Sequence, residues 1–196
     1  MKSEIQDRFS QNLNRVKHLI EVYAAMASGQ GRRDVETTDI LRAAVVFLHA
    51  NLEDLLRSLL EWKLPTAPPE HLKDVPLEGK EARSKFTLDD LAAHRGRTVD
   101  DLIARSVSAS LEESNFNHPG EIERVLERIG LPKNLLDSYR DKLGPMMKRR
   151  HWIVHRADRN RASGIGHHPA LSLQQAAVED RCRALEDFGA LVLSKL

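Results

Sequence analysis

The sequence predicts an all-α helical bundle, and three observations predict it. Apolar residues recur at spacings of three and four along most of the chain. No segment shows the strict alternation of a half-buried strand, and there is no internal repeat or low-complexity tract. Helix-start pairs, a Ser or Thr three residues before an Asp or Gln, precede several of the periodic runs. The length of 196 residues and the apolar fraction of 41% suffice for a core without disulfide or metal staples, so residues 1–196 read as a single domain.

In chain order, Ile5, Phe9, Leu13, Val16, Ile20, Tyr23 and Ala27 form one stripe on a first long helix, ended by Ser28-Gly29-Gln30-Gly31. Thr37, Thr38 and Asp39 are cap candidates for a second long helix carrying Leu41, Ala44, Leu48, Leu52, Leu55, Leu59 and Trp62. Residues 40–48 are apolar nearly all round apart from Arg42, so this helix is either central in the domain or covered by a partner chain. Pro65, Pro68, Pro69 and Pro76 make residues 63–80 an irregular connection. Thr87 with Asp90 opens a short helix, and Thr98 with Asp101 opens a longer one reaching about residue 113.

Asn117-His118-Pro119-Gly120 marks a turn, and residues 121–129 form another helix ended by Gly130. Pro132 opens a helix that Gly144-Pro145 closes, and the helical pattern resumes over residues 146–157. Residues 161–169, with Gly164 and Gly166, read as a polar loop. Ser172 with Gln175 caps a long closing helix whose stripe is Val178, Cys182, Leu185, Gly189, Val192 and Leu196. On that stripe Cys182 is a small buried hydrophobe rather than a reactive thiol.

Composition removes several classes of function. A lone cysteine allows no intramolecular disulfide and no Cys-based zinc site, which fits a reducing compartment. The N-terminal stretch has no apolar signal-peptide core, and the longest apolar run, residues 43–48, is far too short to cross a bilayer. A cytoplasmic address without membrane partners is therefore expected. The glycine-rich nucleotide loops GxGxxG and GxxxxGK[ST] are absent, as are HExxH and GxSxG. His167-His168 lacks a carboxylate or a helical spacing that would complete a metal site, so neither metal nor cofactor is expected. An aromatic content of 5% is too low for a broad stacking platform for single-stranded nucleic acid.

A net charge of +1 conceals a concentration of charge. Lys148, Arg149, Arg150, Arg156, Arg159 and Arg161 stand against a single acid, Asp158, with His151, His155 and His167 adding titratable charge. Such a run is either a solvated basic face or a surface for phosphates. Inside it, Arg150-His151-Trp152-Ile153-Val154-His155 unites a permanently charged, phosphate-shaped guanidinium with imidazoles that exchange protons near neutral pH. That is a minimal kit for cleaving phosphodiesters without a metal. His151 and His155 share a helix face, whereas Arg150 lies about 140° round from His155. A long arginine stem, a helix starting near Arg150, or a second copy of the motif from another chain would close that gap. On the second helix His49, Glu53 and Arg57 form a polar i, i+4 stripe. It is either a solvated ladder or a face on which Glu53 holds Arg150 or His155 in place.

These residues give the chain a resemblance to the HEPN superfamily of small helical domains, whose signature is Arg, a polar residue, a few mostly apolar residues, then His. It looks most like the RiboL-PSP type. The resemblance takes in residues 41–53, Phe116-Asn117-His118-Pro119 leading to Ile129-Gly130-Leu131, and Ile153-Val154-His155-Arg156. It implies a metal-independent endoribonuclease of toxin–antitoxin or anti-phage systems, working as a homodimer whose two motifs face one cleft, with RNA as substrate and an antitoxin or partner protein as restraint. By carry-over, Arg150 binds the scissile phosphate and His155 moves the proton of the ribose 2′-hydroxyl. His151 fills the polar position and orients Arg150 or touches substrate. Lys148, Arg149 and Arg156 are expected on backbone phosphates or simply on the surface. Arg149 also satisfies the looser spacing to His155, so the catalytic arginine stays open between Arg149 and Arg150. The alternative function is a non-catalytic helical module that binds RNA or a protein through the same basic surface.

Overall fold

The computed structural model describes residues 1–27, 35–80, 85–112, 114–160 and 170–196. These form seven α-helices: α1 (Lys2–Met26), α2 (Val35–Lys63), α3 (Leu88–Ala92), α4 (Val99–Glu112), α5 (Pro119–Arg128), α6 (Arg140–Arg156) and α7 (Gln175–Ser194). Single 3-10 turns occupy Leu64–Thr66 and Pro69–His71, and a longer 3-10 stretch spans Lys133–Tyr139. Among the described residues there is no strand, only an isolated antiparallel bridge between Arg159 and Ala170. The all-α expectation is met.

The stripe of α1 is buried from Ile5 to Tyr23, as its period requires. Its partner is α2, and the pairing runs antiparallel. Arg8 bonds Asp54 at 2.9 Å, the Phe9 carbonyl accepts Asn51 Nδ2 at 3.2 Å, and the Arg15 guanidinium lies 5.0 Å over the Phe47 ring. Helix α7 covers the other side of α1. There Gly189 is required by space, since a Cβ on it would stand 2.3 Å from Phe9 Cζ. Lys17 and Glu186 pair at the edge of this contact at 2.8 Å.

Helix α2 is the central element, packing against α1, α4, α5, α6 and α7. Most of its near-continuous apolar run is thereby buried within the chain itself, with Leu41, Ala44, Val45 and Leu48 fully enclosed and Phe47 left exposed. Each such leucine contributes roughly 1.5–3 kcal/mol by leaving water, which is why this helix organises the others.

The capping pairs at Thr87 and Thr98 form as expected: Thr87 N donates to Asp90 Oδ2 at 2.8 Å, and Asp101 N donates to Thr98 Oγ1 at 3.1 Å. Gly130 ends α5 with φ +79°, a conformation that suits glycine.

Four boundaries differ from expectation. Helix α2 starts at Val35, ahead of its cap candidates, and Asp39 instead pairs with Arg42 at 2.8 Å. Helix α5 starts at Pro119, inside the expected turn. Ser172 and Gln175 form no cap: Gln174 precedes α7, and Gln175 Nε2 donates to Glu179 at 2.8 Å.

The largest difference is at Gly144-Pro145, which lie inside α6 rather than closing a helix. Residues before proline are normally pushed out of the α region by a Cβ clash, but glycine has no Cβ. The carbonyl left free by Pro145 belongs to Asp141, and both residues are exposed, so water can satisfy it. Leu143, Met146 and Met147 are buried on either side of Pro145 and hold the helix through it. The expected helix breaker at 28–31, the end near residue 113, the polar loop 161–169 and the pair His167-His168 lie outside the described residues.

Candidate functional site

The basic cluster occupies the last turns of α6, and the way that helix stops decides where its arginines point. Ala157 and Asp158 both take left-handed backbone, φ +47° and +54°, and both of their N–H groups converge on the Trp152 carbonyl. This turn drives the Asp158 side chain into the interior, where it is fully buried. Arg42 Nε reaches its Oδ2 at 2.8 Å and Arg149 Nη2 reaches the same oxygen at 2.6 Å. The two guanidiniums also share the Leu171 carbonyl, at 2.9 and 3.0 Å, and Arg149 adds the Ser172 carbonyl at 3.2 Å. A buried carboxylate between two arginines ties the ends of α2 and α6 to the start of the α7 approach. Arg149 is therefore largely buried and already paired. The expectation that it contacts backbone phosphate is corrected, because its charge is already matched by the buried Asp158.

Arg150 departs from the helix about 100° further round and meets a different kind of partner. Its Nη1 donates to the Asn117 Oδ1 at 3.3 Å. Its Nε is buried, and among the described residues no carboxylate lies within ion-pair distance of it. The exposed rings of His151 and His155 stack on one another at 4.7 Å between centroids, tilted by 45°. His151 is held below the ordinary imidazole value, first by partial loss of hydration and then by the positive charges of His155, Arg156, Arg150 and His118. Lys148 and Arg156 are exposed, with the Lys148 ammonium 5.1 Å over the Trp152 ring. These two remain available to a polyanion.

Facing α6 is the short connection 114–118 between α4 and α5, and the polar stripe of α2 holds it. His49 is fully buried and its Nε2 lies 3.1 Å from the Phe116 carbonyl, so that nitrogen carries the proton. Glu53 Oε1 accepts from Phe116 N at 3.3 Å, and its Oε2 lies 3.6 Å from His49 Nδ1. Arg57 donates to the Ser114 carbonyl and covers the Phe116 ring at 5.5 Å. On the other side Glu121 Oε2 accepts from Asn117 N at 2.6 Å and from His118 N at 2.9 Å. The stripe is therefore a set of anchors and not a solvated ladder. Burial alone would raise the Glu53 carboxyl, but His49, the Phe116 N–H and the Arg150 charge together bring it below the ordinary value. Glu53 thus acts on the wall that carries Asn117 rather than by pairing with Arg150 or His155.

Five contributors were not assigned to the site from the sequence: Arg42, Asn117, His118, Glu121 and Asp158. Arg42 had a visible signal as the one charge in an apolar run. Glu121 also had one, standing three residues after His118 in capping-box spacing. Asp158 was visible as the one acid in the basic run, but nothing local announced the left-handed turn that buries it.

Chemically the arrangement offers a half-buried guanidinium met by a neutral amide, two imidazole rings in contact, and flanking exposed cations. That combination can receive an oxyanion and move a proton beside it. Among the described residues no group of three or more His, Cys, Asp or Glu is placed to hold a metal, and no helix is long and apolar enough to cross a membrane. No protein-family model, no curated protein and no solved structure matches this chain.

Proposed function

We propose that the chain is a HEPN-type, metal-independent endoribonuclease, with Arg150 as its phosphate-binding residue and His155 as its proton-transfer residue. The observation that carries the reading is the placement of Arg150: of two adjacent arginines, it is the one held by a neutral amide beside an exposed pair of imidazoles. A positive group without a carboxylate partner at the mouth of a basic face favours an anion such as a phosphodiester.

In the proposed reaction His155 takes the proton of the ribose 2′-hydroxyl and the 2′-oxygen attacks phosphorus. The bond from phosphorus to the 5′-oxygen breaks, and that oxygen leaves with a proton from solvent. Arg150 stabilises the negative charge that develops on the non-bridging oxygens. The products are a 2′,3′-cyclic phosphate and a 5′-hydroxyl. Lys148 and Arg156 hold neighbouring phosphates. The roughly 140° offset of Arg150 from His155 along one helix favours a homodimer in which two α6 helices face one cleft. A cytoplasmic toxin restrained by an antitoxin, or an anti-phage effector, is the setting that such an activity fits.

The test is RNA cleavage in EDTA by wild type, Arg150→Ala and His155→Ala, with identification of the product ends. Cleavage by wild type alone, leaving cyclic phosphates, supports the reading. Equal cleavage by all three proteins overturns the assignment of Arg150 and His155, and no cleavage by any of them leaves a binding module.

A further inference from the structure

We propose that Asn117 is the positioning residue of this site: its neutral amide holds the Arg150 guanidinium ready for a phosphate without cancelling its charge. The inference rests on Arg150 being the anion-binding residue proposed above.

The partners of the nearby arginines carry the argument. Arg42 and Arg149 end on the carboxylate of Asp158, and Arg42 also takes Asp39. Both serve the interior. Arg150 ends on the Oδ1 of an amide. Aspartate has the same shape as asparagine and would bind a guanidinium more strongly, by a charge-assisted bond. It would also occupy the charge that an incoming phosphate needs. An amide oxygen takes one N–H of the fork and leaves the net charge in place.

The amide is itself fixed. The backbone of Asn117 is bonded to Glu121, and the residue before it is held at its N–H by Glu53 and at its carbonyl by His49. Those anchors come from α2 and α5, two elements of the packed core. Arg150 is thereby steadied before substrate arrives, which lowers the cost of ordering a long side chain at the moment of binding. Because arginine only donates, the oxygen of the Asn117 amide must be the atom that faces it.

The experiment compares wild type, Asn117→Ala, Asn117→Asp and Arg150→Ala in the full chain. Three readouts are taken: affinity for a 2′-O-methyl RNA oligomer that cannot be cleaved, the cleavage rate on unmodified RNA, and Tm. Asn117→Ala is expected to weaken oligomer binding on the order of tenfold. Asn117→Asp is expected to weaken it at least as much while keeping or raising Tm, because the new carboxylate pairs with Arg150. Its binding should also depend less steeply on salt, by about one phosphate contact. Wild-type affinity and rate in Asn117→Asp would overturn the proposal, as would losses of function in both variants that merely follow losses of Tm. Wild type that binds the oligomer but cleaves no RNA would end the nuclease reading and leave the affinity comparison to decide Asn117. Unchanged affinity in Arg150→Ala would end both.

Discussion

Arg149 and Arg150 are consecutive on α6, and their guanidinium groups take opposite kinds of partner: the buried carboxylate of Asp158 for the first, the amide of Asn117 for the second. The first charge is already matched by a buried carboxylate, and the second is met only by a neutral amide. Substitutions at the two positions should therefore separate cleanly.

Arg149→Ala leaves a fully buried Asp158 with Arg42 alone and removes the link to Leu171 and Ser172. Breaking one partner of a buried ion cluster costs about 3–5 kcal/mol, so urea unfolding should show a large drop in midpoint. Arg150→Ala loses one long hydrogen bond, and its stability should fall by no more than about 1 kcal/mol. Equal losses in the two variants would contradict the assigned placements.

His151 should titrate below the ordinary 6.5, and NMR of the imidazole protons measures this directly. The largest cause is lost hydration, which the substitutions below leave in place. His155→Ala, Arg156→Ala and Arg150→Ala each remove a positive neighbour and should each move the His151 midpoint upward, His155→Ala most. The sign for stability follows from linkage. Between its depressed folded value and 6.5 the unfolded chain carries more protons at this position, so stability rises with pH across that window. A midpoint at or above 6.5 in wild type would remove the electrostatic basis of the argument.

Gly189 lies against Phe9 so closely that any Cβ must displace the ring, at 2.3 Å from Cζ and 2.5 Å from Cε1. Gly189→Ala should destabilise by about 1–3 kcal/mol, the range for overpacking, despite the better helix propensity of alanine. Adding Phe9→Leu should recover part of the loss. A more stable Gly189→Ala protein would mean that α1 and α7 are further apart than described.

Pro145 interrupts the hydrogen bonding of α6 on its exposed face. Pro145→Ala restores the bond to Asp141 without a new core contact and should raise thermal stability by about 1–3 kcal/mol. A lower Tm in this variant would show that α6 needs the break.

Much of this fold was legible in the sequence because most of its helices obey local rules. The stripe from Ile5 to Tyr23 is buried as spaced, Thr87 and Thr98 cap as written, and most of the run 40–48 packs inward, Phe47 excepted. Periodicity is a property of neighbours along the chain, and so it can be read there. The same local rules misplace Gly144-Pro145 and Ser172. At the first, packing of Leu143, Met146 and Met147 outweighs a lost hydrogen bond.

The motif was legible as residue types, and their division of labour was not. The sequence by itself determined that Arg149, Arg150, His151 and His155 crowd one helix end, and that His49, Glu53 and Arg57 share one face of another. Only the tertiary structure decided that Arg149 turns inward to Asp158, 9 residues along, while Arg150 meets Asn117, 33 residues away. It likewise decided that His49 and Glu53 hold the peptide of Phe116. The physical reason is that the role of a charged side chain is set by the charge or neutrality of whatever the fold packs against it, and that partner is chosen by long-range packing rather than by sequence spacing.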